Sequence, residues 1–278
     1  MAQRLFWLLL MVGLVSCSEF EKVRKSSDIM YRYRKAMEYY NNQDYAKANA
    51  LFADLTYAFR GTQQQDSVYF FQAMSYFKQG EGFYTDAANL FKTFSENYPY
   101  SFFAEEAALM EAECYYQQSP RPELDQTYTQ LALNAFEMFK LLYPQSNQRT
   151  VVNAKIGELT EKLVEKSYKA AKLYFDLGEY KAALTALYNA IREYPDTKYR
   201  EELQFMLLKS RYLYAYNSVE SKKQERFQET LDDYLTFVTD YPETKYGKDV
   251  EKIRRVTEGY LETHQLEEDD EKAVGIDL

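Results

Sequence analysis

The sequence predicts an all-α protein, a superhelical solenoid of five helix hairpins followed by a C-terminal capping helix. Three observations support this prediction. The 278 residues include only 9 Gly and 6 Pro, which favours long helices over a loop-rich β fold. Four Tyr-Pro pairs recur along the chain at helix-pair spacing. Small and aromatic residues also recur at matching offsets from one repeat to another, as expected for stacked structural units.

The Tyr-Pro pairs mark the predicted boundaries between helix hairpins. Each proline is expected to end the preceding helix, because the residue before a proline is pushed towards an extended conformation. Two residues later a Ser or Thr is placed to cap the next helix. An aromatic residue follows two positions after three of these hydroxyls, whereas Gln148 occupies that position in the remaining repeat. The four turns are Tyr98–Ser101, Tyr143–Ser146, Tyr194–Thr197 and Tyr241–Thr244.

Offsets within the repeats identify their type. Two sets of residues are separated by the same steps of 3, 9, 4 and 8 positions, namely Ala36, Tyr39, Ala48, Phe52, Arg60 and Ala171, Tyr174, Ala183, Leu187, Pro195. Gly61 replaces the helix-ending proline in the first set through its left-handed conformation. The pattern resembles the tetratricopeptide repeat, in which small residues let two helices approach and aromatic residues fill the space above them. An armadillo-like or generic stack of helical hairpins is the alternative.

The hairpins are expected over roughly residues 28–244, with insertions near Gly80–Gly82, at Pro120 and Pro122, and at 218–223. A last helix should span about 245–263 and cap the stack. Because Glu267–Glu271 is an unbroken acidic run, the end of the chain is expected to be a disordered tail. The predicted regions are 28–146 for repeats one to three, 147–263 for repeats four and five with the capping helix, and 264–278 for the acidic tail.

The N-terminal residues have the features of a lipoprotein signal peptide. Arg4 precedes the apolar run Leu5–Val15, which is too short to span a bilayer comfortably. The run ends in a segment that resembles the bacterial lipobox, which implies cleavage after residue 16 and lipidation, including palmitate, of Cys17. An ordinary secretory signal with an incidental Cys is the alternative. Residues 17–27 are expected to be a lipidated tether, and Ser18 after the Cys suggests by resemblance the periplasmic face of the outer membrane.

Composition excludes several functional classes. The chain carries 34 basic and 43 acidic residues, a net charge of −9, which counts against nucleic-acid binding. One His, His264, and two Cys, Cys17 and Cys114, cannot form a Cys/His zinc site. Cys114 lies in an amphipathic helical stretch and is expected to be a buried apolar residue. No catalytic constellation, metal site or cofactor motif is expected, so the chain is not predicted to be an enzyme.

The unusual number of tyrosines suggests a binding surface. There are 28 Tyr residues, most of them expected to be packing residues. Tyr33, Tyr40 and Tyr76 are candidates to line a concave groove that would hold an extended or helical peptide by apolar and hydrogen-bonding contacts.

The combination of lipobox, short tether and five repeats resembles the BamD family of outer-membrane lipoproteins. The segments that carry the resemblance are Ala36–Tyr45, Ser119–Gln126, Ala135–Ser146 and Arg192–Thr197 followed by Arg200 and Glu201. The resemblance implies a non-enzymatic factor of the β-barrel assembly machinery, with other Bam lipoproteins as partners. Its C-terminal repeats would bind a POTRA domain of BamA, with Arg192 and Arg200 as charged contacts, and its N-terminal repeats would receive unfolded outer-membrane proteins.

Two other functions remain open at this point. The chain could be another periplasmic tetratricopeptide lipoprotein, such as a cell-envelope or peptidoglycan-linked scaffold. It could also be a glycan-binding uptake lipoprotein, although members of that class are usually longer and carry Trp in large inserted loops, whereas the single Trp here, Trp7, lies in the predicted signal peptide.

Overall fold

The structure, a computed structural model, describes residues 19–274, with side chains described as far as residue 265. In this range every regular element is helical, which confirms the predicted all-α class. Residues 19–24 form a short helical segment. The longer helices are α1 (Ile29–Asn41), α2 (Tyr45–Ala58), α3 (Gln65–Gln79), α4 (Tyr84–Asn97), α5 (Ala104–Gln118), α6 (Thr127–Leu142), α7 (Arg149–Asp176), α8 (Tyr180–Glu193), α9 (Arg200–Tyr216), α10 (Glu220–Asp240) and α11 (Gly247–Val274).

The chain divides into two compact units, one ending at Thr160 and the other beginning at Glu161. Helix α7 contributes its first part to unit one and the remainder to unit two. The sequence placed a boundary between 146 and 147, where α7 is about to begin, because only the Tyr-Pro turn marks a break in the pattern. The observed division instead falls inside a single long helix of 28 residues.

Unit one consists of consecutive helix pairs that pack where small residues allow close approach. Ala36 on α1 and Ala48 on α2 are fully buried, and Phe52 fills the adjoining space beside Leu51 and Leu55. The next two cores repeat this arrangement around Phe91 and Phe136. Each fully buried Leu or Phe side chain in these cores contributes about 1.5–3 kcal/mol relative to an exposed one. The packing confirms the predicted helix pairs.

Unit two has the same internal order. Ala171 on α7, Ala183 on α8 and Leu187 are fully buried and pack together. A second core, made by α9, α10 and α11, surrounds Phe237 and Ile253. The insertion predicted at 218–223 is present as the α9–α10 loop and the first turn of α10, which is 21 residues long.

The predicted hydroxyl caps form one step earlier than expected. Each hydroxyl accepts a hydrogen bond from the backbone N–H two residues on, and that residue immediately precedes the first residue of the next helix. The hydroxyl therefore closes the turn and does not cap the helix. A turn of this kind satisfies a backbone amide that lies before the first residue of the helix. The N···O distances are 3.1 Å for Phe103–Ser101, 3.1 Å for Gln148–Ser146, 3.3 Å for Tyr199–Thr197 and 3.2 Å for Tyr246–Thr244.

The aromatic residue that follows three of the four hydroxyls stacks on the first helix of the preceding pair. In unit one Phe103 stacks on Phe70 with ring centroids 4.5 Å apart. In unit two Tyr199 stacks on Tyr168 at 4.0 Å, and Tyr246 stacks on Phe205 at 3.9 Å. These ring pairs hold one helix pair against the next, each contributing about 0.5–1.5 kcal/mol beyond the area it buries.

Two predicted boundary regions differ from the structure. The tether expected at 17–27 is not extended in its described part, because residues 19–24 are helical and Val23 is buried in the first core. The sequence does not predict this helix, because six residues are too few to show a helical periodicity. At the other end, α11 continues to Val274, so helix replaces most of the backbone predicted to be a disordered tail at 264–278.

A substitution at the closest helix contact tests the packing of unit two. Ala183→Leu adds bulk where α8 meets α7 and should lower the free energy of unfolding by about 1–3 kcal/mol. Ala182→Leu is the matched control, because Ala182 is exposed on the same helix. Urea unfolding followed by circular dichroism measures both. Equal stability of the two variants would contradict the close approach at Ala183.

Candidate functional site

A groove crosses the first helices of three consecutive pairs in unit one. Its walls come from α3, α5 and the start of α7, and it holds a volume of about 380 Å³. The floor is apolar and the rim is charged. The apolar lining residues are Met74, Phe77, Leu109, Met110, Val151 and Val152, and the charged ones are Lys78, Glu106, Glu113 and Lys155.

The groove lies where the repeating ring pair is missing. In three other repeats the first helix carries an aromatic ring three positions before the buried small or aliphatic residue, and the following turn supplies its stacking partner. At this repeat the two positions hold Leu109 and Gln148, and both side chains line the groove. Leu109 and Gln148 are smaller than two stacked rings, so their side chains leave space between α5 and α7.

One side of the groove is fixed by an ion pair. Lys155 on α7 contacts Glu113 on α5, and its ammonium lies 4.3 Å from the centroid of the Tyr116 ring. The side chains of Lys155 and Glu113 are 24% and 17% exposed, so water screens this pair less than a fully exposed one. Tyr116 donates a hydrogen bond to Glu158 at 2.7 Å, which adds to burial in raising its pKa to about 12.

The three tyrosines predicted to line a groove lie elsewhere in unit one. Tyr33 packs between Phe52 and Phe59, and its hydroxyl lies 2.9 Å from the Ser67 hydroxyl. Tyr40 packs against Phe71 with ring centroids 5.1 Å apart, and burial raises its pKa to about 12.

Tyr76 is the third, and it contacts Phe83 with ring centroids 5.9 Å apart. All three tyrosines are half-buried between helices, and none of them lines the groove of α3, α5 and α7. Their contact with a ligand stays a prediction. The sequence did not reveal the groove residues, although the departure at Gln148 was a usable signal.

The two arginines singled out in unit two flank one Tyr-Pro turn. Arg192 lies in the last turn of α8 and is exposed, with only a 3.3 Å hydrogen bond to Asn189 and the nearby Tyr188 ring as described contacts. Arg200 begins α9 and donates to the Pro195 carbonyl. Arg192 is therefore free to face a partner.

Arg200 has a counterpart elsewhere in the chain. Arg149 stands at the same offset from its own proline and donates to the Pro144 carbonyl at 3.0 Å. The repetition indicates that Arg200 stabilises its own turn, because an arginine five residues after the proline makes the same bond in both places.

The structure describes one of the two cysteines. Cys17 and the signal peptide predicted at 1–16 lie outside the described residues. Cys114 is a free thiol with no exposed surface, and burial raises its pKa well above the ordinary range, which confirms its predicted role as an apolar packing residue. No helix among the described residues is long and apolar enough to cross a membrane.

Comparisons with known proteins give a consistent picture. A family model described as YfiO, outer membrane lipoprotein, matches residues 25–224. A curated protein of Aquifex aeolicus (strain VF5), named putative outer membrane protein assembly factor BamD, is 28% identical over 231 residues. That match covers 81% of this chain and 73% of the relative.

Proposed function

This chain belongs to the YfiO family of outer membrane lipoproteins, and we propose that it is a lipid-anchored scaffold for the assembly of outer-membrane β-barrel proteins. The relative named as an outer membrane protein assembly factor supports this role. A groove with an apolar floor and a charged rim fits a protein that binds unfolded chains. The proposal is a binding function, not a catalytic one.

The lipid anchor would be carried by Cys17. Residues 19–24, which follow it, form the helical segment that packs on unit one, and their position determines where the anchor leaves this unit. Phe20 contacts Tyr39 in the last turn of α1, with ring centroids 5.8 Å apart. Four residues later Arg24 pairs with Asp54 at 2.8 Å, towards the far end of α2. The segment therefore runs back along α1, and its N-terminal end lies beside the α1–α2 turn. Only Ser18 separates Cys17 from the segment, so that end of unit one would lie close to the bilayer.

Loss of the anchor should be specific to one of the two thiols. Cys17→Ser should abolish palmitate incorporation and move the protein from the membrane fraction to the soluble fraction, since stable anchoring needs the acyl chains. Cys114→Ala keeps the anchor and is the matched control. Labelling with radioactive palmitate followed by fractionation measures both. Persistent labelling of Cys17→Ser would contradict the lipid anchor at this residue.

The groove across α3, α5 and α7 would receive an extended segment of an unfolded outer-membrane protein. Leu109, Met110 and Val151 provide the apolar contacts, and methionine side chains adapt to ligands of differing shape. The rim charges of both signs would set the direction in which a peptide lies. The observation that carries this proposal is the open space at Leu109 and Gln148.

Restoring the missing ring pair should close the groove. Leu109→Phe combined with Gln148→Phe is expected to fill the space with stacked rings, as Phe70 and Phe103 do in the preceding repeat. Photo-crosslinking of a labelled C-terminal peptide from an outer-membrane protein should then fall about tenfold, equivalent to about 1.4 kcal/mol of binding. Leu131→Phe is the control, because Leu131 is partly exposed outside the groove.

Two outcomes of this experiment would contradict the groove assignment. One is undiminished crosslinking in the double variant. The other is crosslinking centred on Tyr33, Tyr40 or Tyr76 in the unmodified protein, which would support the binding surface predicted from the sequence instead.

Unit two would bind the periplasmic POTRA region of a BamA-like protein, as the family resemblance implies, together with other Bam lipoproteins. Arg192 is the better candidate contact, because its guanidinium is exposed while that of Arg200 is occupied by the Pro195 carbonyl. A partner carboxylate could pair with Arg192 without breaking the turn.

Charge-reversal substitutions distinguish the proposed roles of Arg192 and Arg200. Arg192→Glu should reduce co-purification of the BamA-like partner roughly tenfold while leaving the melting temperature unchanged, because a rim charge acts on association and not on the fold. Arg200→Glu should lower the melting temperature through loss of its turn contact. Arg255→Glu, an exposed position on α11, is the control for charge alone. If the Arg192→Glu variant still co-purifies the BamA-like partner at the normal level, Arg192 is not part of the interface.

A further inference from the structure

Two adjoining cavities open at the α2–α3 and α4–α5 loops of unit one. The first holds about 430 Å³ and the second about 350 Å³. Their linings share Gln65, Asn97 and Tyr98, so they form one continuous trough. Neither the ion-paired groove nor any contact proposed for BamA lies in this region.

Four tyrosines line the trough among polar residues. Tyr57 is 85% exposed and Tyr100 is fully exposed, which leaves two large rings in solvent. Tyr69 and Tyr98 form the wall between them, with ring centroids 5.6 Å apart. Exposed aromatic rings clustered at a cavity are typical of a ligand-binding surface, where the bound ligand covers the rings.

The wall is rigid, because its polar groups bond to one another. Gln65 donates to the Tyr98 hydroxyl at 2.8 Å, and its amide oxygen accepts from the Gly61 N–H at 2.7 Å. Gly61 has a φ of 78°, a conformation that other residues rarely adopt. The trough is thus formed before any ligand arrives.

Two polar side chains in the trough are available to form hydrogen bonds with a ligand. Arg60 and Asn97 are exposed, and neither side chain makes an ion pair or hydrogen bond with another of the described residues. The Arg60 guanidinium lies close enough to Tyr98 to oppose the rise in its pKa that burial causes. A guanidinium and an amide together offer several N–H donors and one acceptor to a ligand.

We propose that this trough binds a carbohydrate chain. A sugar ring presents apolar C–H faces that pack on aromatic rings, and hydroxyl groups that pair with amide and guanidinium groups. The lining contains no Leu, Ile, Val, Met or Phe side chain, whereas peptide-binding grooves rely on such anchors. The lining has one cation, Arg60, and one carboxylate, Asp66, which is too little positive charge for a nucleic-acid backbone.

The location of the trough suits an envelope glycan, a point that rests on the proposed lipid anchor. The anchor would leave unit one beside the α1–α2 turn, and the α2–α3 and α4–α5 loops lie at the opposite ends of these helices. The trough would then face away from the bilayer, towards the glycan strands of the cell wall. The binding itself does not depend on the anchor.

Calorimetry on the full-length protein tests the proposal, in a detergent without a sugar headgroup. The probe is a β-1,4-linked oligomer of N-acetylglucosamine, with isolated cell-wall glycan strands as a second probe. Saturable binding is expected, and Tyr57→Ala and Arg60→Ala should each weaken it about tenfold. Tyr216→Ala is the control, because Tyr216 is an exposed tyrosine in unit two. Circular dichroism verifies that each variant folds.

Several results would overturn the proposal. These are absence of saturable binding to both probes, equal weakening by Tyr216→Ala, and crosslinking of an outer-membrane-protein peptide in the trough. Because the assay measures glycan binding directly, its failure leaves the assembly function untouched. Conversely, a protein that lacked the barrel-assembly role would still bind the oligomer if the trough is a carbohydrate site.

Discussion

The Tyr-Pro turn is the constraint on which the stacking of the repeats depends. Proline ends one helix, a hydroxyl closes the turn on the backbone, and the aromatic residue that follows is directed onto the preceding pair. In unit two this places Tyr199 on Tyr168 and Tyr246 on Phe205 as nearly parallel rings, with interplanar angles of 11° and 1°. Local backbone geometry therefore determines a long-range contact, and small residues such as Ala36 and Ala183 let the helices approach around it.

Where this constraint is relaxed, a groove opens between the helices. The turn at Ser146 keeps its hydroxyl bond but is followed by Gln148, so no ring stacks on α5. In the same repeat the Lys155–Glu113 ion pair and the Tyr116–Glu158 hydrogen bond both link α5 to α7. These polar contacts lie at the side of the helices and leave the apolar floor of the groove open. The family's role in outer-membrane assembly is consistent with a rigid surface of this kind.

Much of the fold could be predicted because it depends on short-range rules. The Tyr-Pro turns, the offsets of Ala171 and Ala183, and the left-handed Gly61 follow from proline, small-residue and glycine chemistry that acts within a few residues. The docking of residues 19–24 could not be predicted, since it depends on Val23 meeting a core made by distant helices. The groove was missed for a similar reason. Leu109 and Gln148 are separated by 39 positions, and neither is unusual until the structure brings them to one place.

The burial of Cys114 has a consequence for chemistry in an oxidising compartment. If Cys17 is acylated, Cys114 is the chain's one remaining thiol, and it is held protonated within the core beside Ala107 and Phe91. A thiol in that state exchanges poorly with disulfides. A cysteine-containing client held in the proposed groove would therefore form its own bridges without being trapped by Cys114 as a mixed disulfide.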